Sequence, residues 1–275
     1  MSHSTPTAQL APASKAALKN HKRRTARRQA VTTGHGGHML DRGAAGAQED
    51  ADAAVWYPIA RPAQSIQARV QGRRQGQMRD QQLRFLLVLD FEAQCEEGVR
   101  LRPQEIIEFP TVAIDLQTMR ATEFHVYCRP EAYPQITPFC TRLTGITQDM
   151  VANGPTLQEA LRQHQQWLRD VLGLSPCGDD GRDYAYVTCG DWDLRTCLPQ
   201  QLASLGIRAP AGYSRWINIK HAFSEWYGCH ARGMAGMLAD LGIALEGRHH
   251  SGIDDTRNIA KVAVEMLHNG WVARA

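Results

Sequence analysis

Phe85-Leu86-Leu87-Val88-Leu89-Asp90-Phe91-Glu92 is the stretch from which the fold can be read. Five apolar residues run without a break into Asp90, and Glu92 follows two positions later. A strand buried on both faces reads as a continuous apolar run, whereas a half-exposed strand alternates. Side chains on a strand alternate faces, so Asp90 and Glu92 share one. Two carboxylates at the end of a buried strand resist joint ionisation, because like charges repel strongly at low dielectric. A divalent cation removes that cost, and an oxygen-only site suits a hard ion such as Mg²⁺ or Mn²⁺. The competing interpretation is a strand that ends at the surface with two solvated acids. A metal site therefore needs further ligands from elsewhere in the chain.

The flanking sequence predicts what surrounds this strand, which is expected over 83–90. Ile106 to Asp115 has strand character, and Ala121 to Cys128 forms a third strand across the hairpin connection Gln117-Thr118-Met119-Arg120. Three consecutive antiparallel strands then give way to helices. Thr137 to Leu143 is a short helix with Pro138 in its first turn, and Pro155 to Leu172 is a longer one. Tyr184 to Cys189 is a fourth strand, followed by a helix from Asp193 to Leu205. Trp216 to Ile219 leads into a helix ending near Tyr227. Met234, Met237, Leu238 and Leu241 mark another helix face. The last helix runs from Ser251 to Asn269, with Ser251 and Asp254 at capping-box spacing. The expected class is α/β, a mixed central sheet flanked by helices.

Charge divides the 275-residue chain. Residues 1–80 carry 13 Lys/Arg against 5 Asp/Glu, a net of +8, and residues 81–275 carry 18 against 23, a net of −5. Lys19-Asn20-His21-Lys22-Arg23-Arg24-Thr25-Ala26-Arg27-Arg28 concentrates the positive charge. A polar, basic segment of this kind cannot bury enough apolar surface to fold alone. The expected organisation is a disordered basic arm and linker over 1–80 and one folded domain over 81–275. The arm fits a nucleic-acid contact, a nuclear import signal or an organellar transit peptide. An intracellular protein is expected, cytoplasmic or nuclear, with mitochondrial import through the basic N-terminus as the other route. Seven cysteines without a Cys-x-x-Cys pair argue against a disulfide framework and a zinc knuckle. No apolar run approaches the roughly 18 residues of a membrane span.

Three further places offer acids or a base at the ends of apolar elements. Asp191-Trp192-Asp193 follows the fourth strand, His249-His250 precedes the last helix, and Asp254-Asp255 opens it. Taken singly, each has an ordinary explanation: a turn residue, a solvated imidazole, an acid favourable to a helix dipole. Their joint order along the chain is harder to obtain by accident.

That order resembles the DEDDh 3′→5′ exonucleases, whose fold is ribonuclease-H-like. The carriers are Asp90-Phe91-Glu92-Ala93, Leu143-Thr144-Gly145-Ile146-Thr147, Trp192-Asp193 and His250 five residues before Asp255. Glu105-Ile106-Ile107-Glu108-Phe109-Pro110, Trp216-Ile217-Asn218-Ile219 and Gly252-Ile253-Asp254-Asp255 narrow the resemblance to the Eri-type exoribonucleases, those of enhanced RNAi and the histone-mRNA stem-loop. It extends over roughly residues 83–270. The N-terminal 80 residues do not resemble the SAP domain that some members carry.

The resemblance implies metal ligands at Asp90, Glu92, Asp193 and Asp255, and a general base at His250. It prefers Asp193 to Asp191 and His250 to His249, where the family often has Pro. It also prefers Asp255 to Asp254, which lies about 100° further round the helix. Two Mg²⁺ ions, or Mn²⁺, about 3.5–4 Å apart would activate water and stabilise the attacking and leaving oxygens. Phe91, Ala93, Leu143 and Thr144 resemble positions that hold the terminal nucleotide, and Trp192 is a candidate to stack on a base. The implied activity releases 5′-nucleotides from RNA 3′ ends, structured or with an overhang, by a monomer with no membrane partner. A DNA-acting DEDDh exonuclease and a non-catalytic nucleic-acid-binding module of the same fold are the alternatives.

Overall fold

A computed structural model describes residues 81–175 and 183–275. The arm expected over 1–80 lies outside the described residues. In chain order the strands are β1 Phe85–Val88, β2 Glu92–Ala93, β3 Ile106–Asp115, β4 Ala121–Tyr127, β5 Tyr184–Thr188 and β6 Trp216–Asn218. The helices are α1 Pro138–Thr144, α2 Gln148–Ala152, α3 Leu157–Asp170, α4 Leu198–Ser204, α5 Ile219–Tyr227, α6 Met234–Leu241 and α7 Gly252–His268.

One mixed sheet results. β1 lies antiparallel to β3, with Phe85 opposite Asp115 and Val88 opposite Val112. β2 meets β3 further along, with Glu92 opposite Glu108, and β4 covers the other edge of β3. β5 runs parallel beside β1, and β6 parallel beside β5. The expected order holds: three antiparallel strands first, helices around them.

The apolar run of β1 is continuous because both of its faces are covered. Leu86 and Val88 point into a core with Val112, Ile114 and Val187 of the sheet, Phe223 of α5, Leu238 of α6 and Ile259 of α7. Phe85, Leu87 and Leu89 point the other way, toward Phe109, Tyr186, Leu161 and Leu168 of α3, and Leu198 of α4. Period-two alternation sorts the run between two helical layers. Leu87 is wholly buried, and its truncation to Ala would cost about 3 kcal/mol.

Four boundaries differ from the sequence expectation. The first strand stops at Val88 rather than Asp90, and pairing with β3 resumes only at Glu92 with a register shift beside Ala93. A separate helix, α2, precedes α3. The helix expected from Asp193 to Leu205 is a π-helical turn, Asp193–Cys197, running into α4. Trp216–Asn218 is an edge strand rather than a lead-in. The α7 cap also differs. Ser251 makes no side-chain capping bond, and the backbone N–H groups of Gly252 and Ile253 donate to the Glu108 carboxylate at 2.8 and 3.0 Å. Among the described residues no cysteine is in a disulfide, and no helix is long and apolar enough to cross a membrane.

Candidate active site

The break between β1 and β2 creates the site. Leu89 still donates its N–H to Val187, but the chain then leaves the ladder for two residues, and Asp90 sits in the gap. Glu92 rejoins β3 opposite Glu108. α7 begins against this gap: a Cβ on Gly252 would lie 2.9 Å from the Asp90 carbonyl oxygen and 2.9 Å from Glu108 Oε2. Only glycine lets the helix start so close to the sheet. Asp255, one turn into α7, is thereby brought to the strand gap. One carboxylate oxygen from each of Asp90, Glu92 and Asp255 lies within 4.8 Å of the others.

Asp193 enters from the π turn after β5. It is buried, and its Oδ1 accepts from the backbone N–H of Phe91 at 2.9 Å. It is thus tied to the residue between Asp90 and Glu92 and stands beside the trio. Asp191, the competing acid, faces elsewhere, accepting from Trp216 Nε1 at 3.0 Å and pairing with Arg195 at 3.6 Å. Asp254 is likewise turned away from the trio. It accepts from the Arg248 N–H at 2.8 Å and pairs with Arg257 at 3.7 Å.

The electrostatics are those of a crowded acidic pocket. Burial, then the charges of Asp193, Asp255 and Glu108, push Asp90 well above the usual carboxylate range. Burial, then Asp90, Glu108 and Asp255, does the same to Glu92. Burial pushes Asp193 up to about 6, against the pull of the Phe91 N–H. Such a set gains most from a ligand that is itself positive. The donors are all carboxylate oxygens at the trio, the chemistry that suits a hard divalent cation.

His250 has a positive φ of 70°, and its backbone N–H donates to Asp255 Oδ2 at 3.0 Å. The imidazole that touches Asp255 is that of its neighbour: His249 Nδ1 lies 3.1 and 3.0 Å from the two carboxylate oxygens. The two rings stack with centroids 4.1 Å apart. Sequence reasoning set His249 aside in favour of His250 and gave no side-chain role to Glu108. Glu108 is buried, and besides α7 it holds His125 Nε2 at 2.8 Å. A carboxylate in the middle of an apolar strand was the available signal for Glu108.

The nucleotide-contact candidates divide. Phe91 is buried, its ring edge-on to Phe109 at 4.9 Å. Ala93 and Thr144 are buried too, and the Thr144 hydroxyl donates to the Cys140 carbonyl at 2.9 Å. Leu143 is half-buried at the end of α1, and Trp192 is 39% exposed on the rim beside Asp193. Arg248 joins them: its guanidinium donates to the Arg142 carbonyl at 2.9 Å. Lys220 of α5 approaches the β5 end, where a Cβ on Gly190 would lie 3.7 Å from its Nζ.

Comparison with known proteins identifies the family. A family model described as an exonuclease matches residues 87–263. The chain is 41% identical over 194 residues to ERI1 exoribonuclease 3 of Homo sapiens, covering 70% of this chain and 56% of that protein. It is 35% identical to the 3′-5′ exonuclease Snipper of Drosophila melanogaster, covering 68% and 70%. Among solved structures it superposes on the nuclease domain of 3′hExo, described as a DEDDh family member bound to rAMP. The TM-score is 0.65 at 35% identity, over 70% of this chain and 96% of that one. A second neighbour, described as a 3′-exonuclease recognising the 3′ end of histone mRNA stem-loop, gives 0.64 at 35%, over 69% and 65%. The chain spans just over half the length of the first curated relatives it matches.

Proposed function

The chain belongs to the exonuclease family, and from that premise we propose that it is a metal-dependent 3′→5′ exoribonuclease, releasing 5′-nucleotides from RNA 3′ ends. The observation that carries the reading is the meeting of Asp90, Glu92 and Asp255 at the strand gap, with Asp193 bonded to the backbone between the first two. On this reading residues 81–275 form the catalytic domain and residues 1–80 a basic arm that adds to RNA affinity.

Mg²⁺ is the proposed cofactor, as two ions, with Mn²⁺ as a substitute; Asp90, Glu92 and Asp255 would hold them, and Asp193 would complete the set. Bound there, the ions supply a more acidic water and a counter-charge for the oxyanions of the phosphodiester. The protein's own groups do the rest. His250 takes the proton from the attacking water, a role that an imidazole nitrogen can fill. The water oxygen bonds to phosphorus as the bond to the 3′ oxygen of the preceding nucleotide breaks, and that oxygen takes a proton from solvent to become the new 3′-hydroxyl. The products are a 5′-nucleotide and an RNA one residue shorter. The Asp193 bond to the Phe91 N–H fixes the short segment carrying Asp90 and Glu92. Arg248, bonded to the end of α1, and Lys220, near the end of β5, are the cations assigned to an approaching phosphate, and Trp192 offers a ring on which a base can stack whatever its identity.

A time course on RNA and matched DNA, labelled at the 5′ end, tests the reading with Mg²⁺ or with EDTA and with Asp90→Ala beside the parent protein. The expected result is a ladder shortening from the 3′ end of RNA, absent in EDTA and in the variant. Faster loss of DNA would move the assignment to DNA-acting relatives. Retained binding without cleavage would make this a non-catalytic member.

A further inference from the structure

Asp255 belongs to two clusters at once. One is the carboxylate trio; the other is His249, His250 and Asp255, each of which offers a ligating atom within 4.8 Å of the others. We propose that this second cluster is a separate cation site, selective for a borderline transition-metal ion such as Zn²⁺, whose occupation shuts down hydrolysis. The binding stands on the cluster alone; the shutdown rests on the exoribonuclease reading above.

Donor chemistry separates the two clusters. Mg²⁺ favours oxygen donors and gives up its waters reluctantly, whereas imidazole nitrogen suits Zn²⁺ and its neighbours in the transition series. Two adjacent nitrogens beside one carboxylate form the softer set, and the trio forms the harder one. The backbone makes this pairing of neighbours attainable. Consecutive side chains diverge along an extended chain, but with φ at 70° on His250 the two rings lie nearly parallel, 19° apart in tilt. Asp255 is fixed in advance, because its Oδ2 accepts from the His250 N–H at 3.0 Å and its side chain is only 5% exposed. His249 Nδ1 already points at both Asp255 oxygens, so a metal ion would take the place of the proton it now shares. The His249 side chain is 49% exposed, which gives an ion a way in from solvent.

The functional consequence follows from shared membership. An ion held by His250 removes the lone pair that would accept the proton from water. The same ion takes Asp255 from the hard-ion site, so the two occupancies oppose each other. His249 is the discriminating residue, since it alone of the three has no part in the proposed hydrolytic chemistry.

The test titrates Co²⁺, a visible-absorbing stand-in for Zn²⁺, into full-length protein freed of metal. Nitrogen ligation at low coordination number is expected to give a strong absorption band. Because both sites draw on Asp255, excess Mg²⁺ should move the Co²⁺ titration to higher concentration without changing the shape of the band, and one equivalent of Zn²⁺ should erase it. His249→Ala and the milder His249→Gln should weaken Zn²⁺ binding roughly tenfold or more. They should raise by a similar factor the Zn²⁺ concentration that halves Mg²⁺-supported RNA cleavage. Equal Zn²⁺ affinity in parent and variants, or only the weak Co²⁺ spectrum of all-oxygen ligation, would overturn the proposal. Zinc binding through His249 in a protein that cleaves no RNA would uphold the site and sink the exoribonuclease reading instead.

Discussion

Glu108 lies in the middle of β3, 1% exposed, and three donors converge on its two oxygens: the Gly252 and Ile253 N–H groups and His125 Nε2. A buried carboxylate is tolerated only when it is so fully engaged. Its truncation strands two backbone donors at the start of α7, the helix that brings Asp255 to the site. Glu108→Ala is expected to cost about 3 kcal/mol, read by denaturant melts, and to lower RNA cleavage out of proportion to the remaining folded fraction. Glu108→Gln keeps one acceptor oxygen and should fall between. Asp193 gives a second prediction. Burial lifts it from 3.8 to about 6, so in that window the folded protein keeps a proton that the unfolded chain has released. Metal-free stability contributed by this group therefore falls as pH rises from about 4 to 6 and stays lower above. Asp193→Asn should recover up to about 3 kcal/mol in EDTA at pH 8 and nothing at pH 4, while losing cleavage. An unchanged melt at pH 8 would count against the raised pKa. Asp90 and Glu92 stood out in the sequence because they close an apolar run, whereas Asp193 and Asp255 were preferred to Asp191 and Asp254 through the family resemblance. The Glu108 bonds to α7 were not legible: they join positions 144 and 145 residues apart, and no local pattern encodes that pairing.

At the scale of elements, β1 was readable because a strand covered on both sides leaves an unbroken apolar run. Its exact end was not, because Asp90 leaves the ladder through pairing with β3 and β5 that its own sequence does not reveal. β6 was missed for a similar reason. Three residues are too few for a periodicity, and only the pairing with Tyr186 to Thr188 makes them a strand. The π turn at Asp193–Cys197 was read as ordinary helix, since its apolar residues suit either winding; single π turns occur often at functional sites. The packing of α3 onto the sheet carries its own test. His164 of α3 is wholly buried, stacked on Phe109 at 4.9 Å, with Nδ1 bonded to the Tyr213 hydroxyl at 2.8 Å. Its Nε2 is buried without a hydrogen-bond partner. Burial holds His164 down at about 3, against 6.5 ordinarily. The unfolded chain takes up a proton as pH falls below 6.5, and the folded protein does not until about 3. Stability from this group is full above 6.5 and is lost on acidification, by about 1.4 kcal/mol per pH unit at most. His164→Phe should flatten the stability profile between pH 6 and 4, and a slope equal to the parent's would place the acid sensitivity elsewhere. The Asp193 contribution runs in the opposite direction over part of this range, so the two variants separate the terms.

The whole molecule sets a negative body, net −5 over residues 81–275, against an N-terminal stretch of net +8. Within the body, repulsion among buried acids links stability to metal. A divalent cation at a hundred times its dissociation constant should stabilise the protein by about 2.7 kcal/mol, visible as a higher melting temperature that EDTA reverses. Asp90→Asn should abolish that gain while raising the metal-free melting temperature, since burial and three neighbouring charges oppose ionisation there. The same negative body is a poor collector of RNA at a distance, because long-range attraction for a polyanion follows the distribution of charge. Lys22, Arg23, Arg24, Arg27 and Arg28 concentrate positive charge in the first 80 residues. If each neutralises one phosphate of a single strand, changing all five to Gln should make the dependence of log binding constant on log salt shallower by about 3.5. Cleavage at saturating RNA should change little, because that stretch supplies none of the acids at the strand gap. Binding measured across a salt series for full-length parent and variant decides the matter. Parallel lines would remove the arm from RNA capture and leave that task to positive groups of the body, Arg248 and Lys220 first.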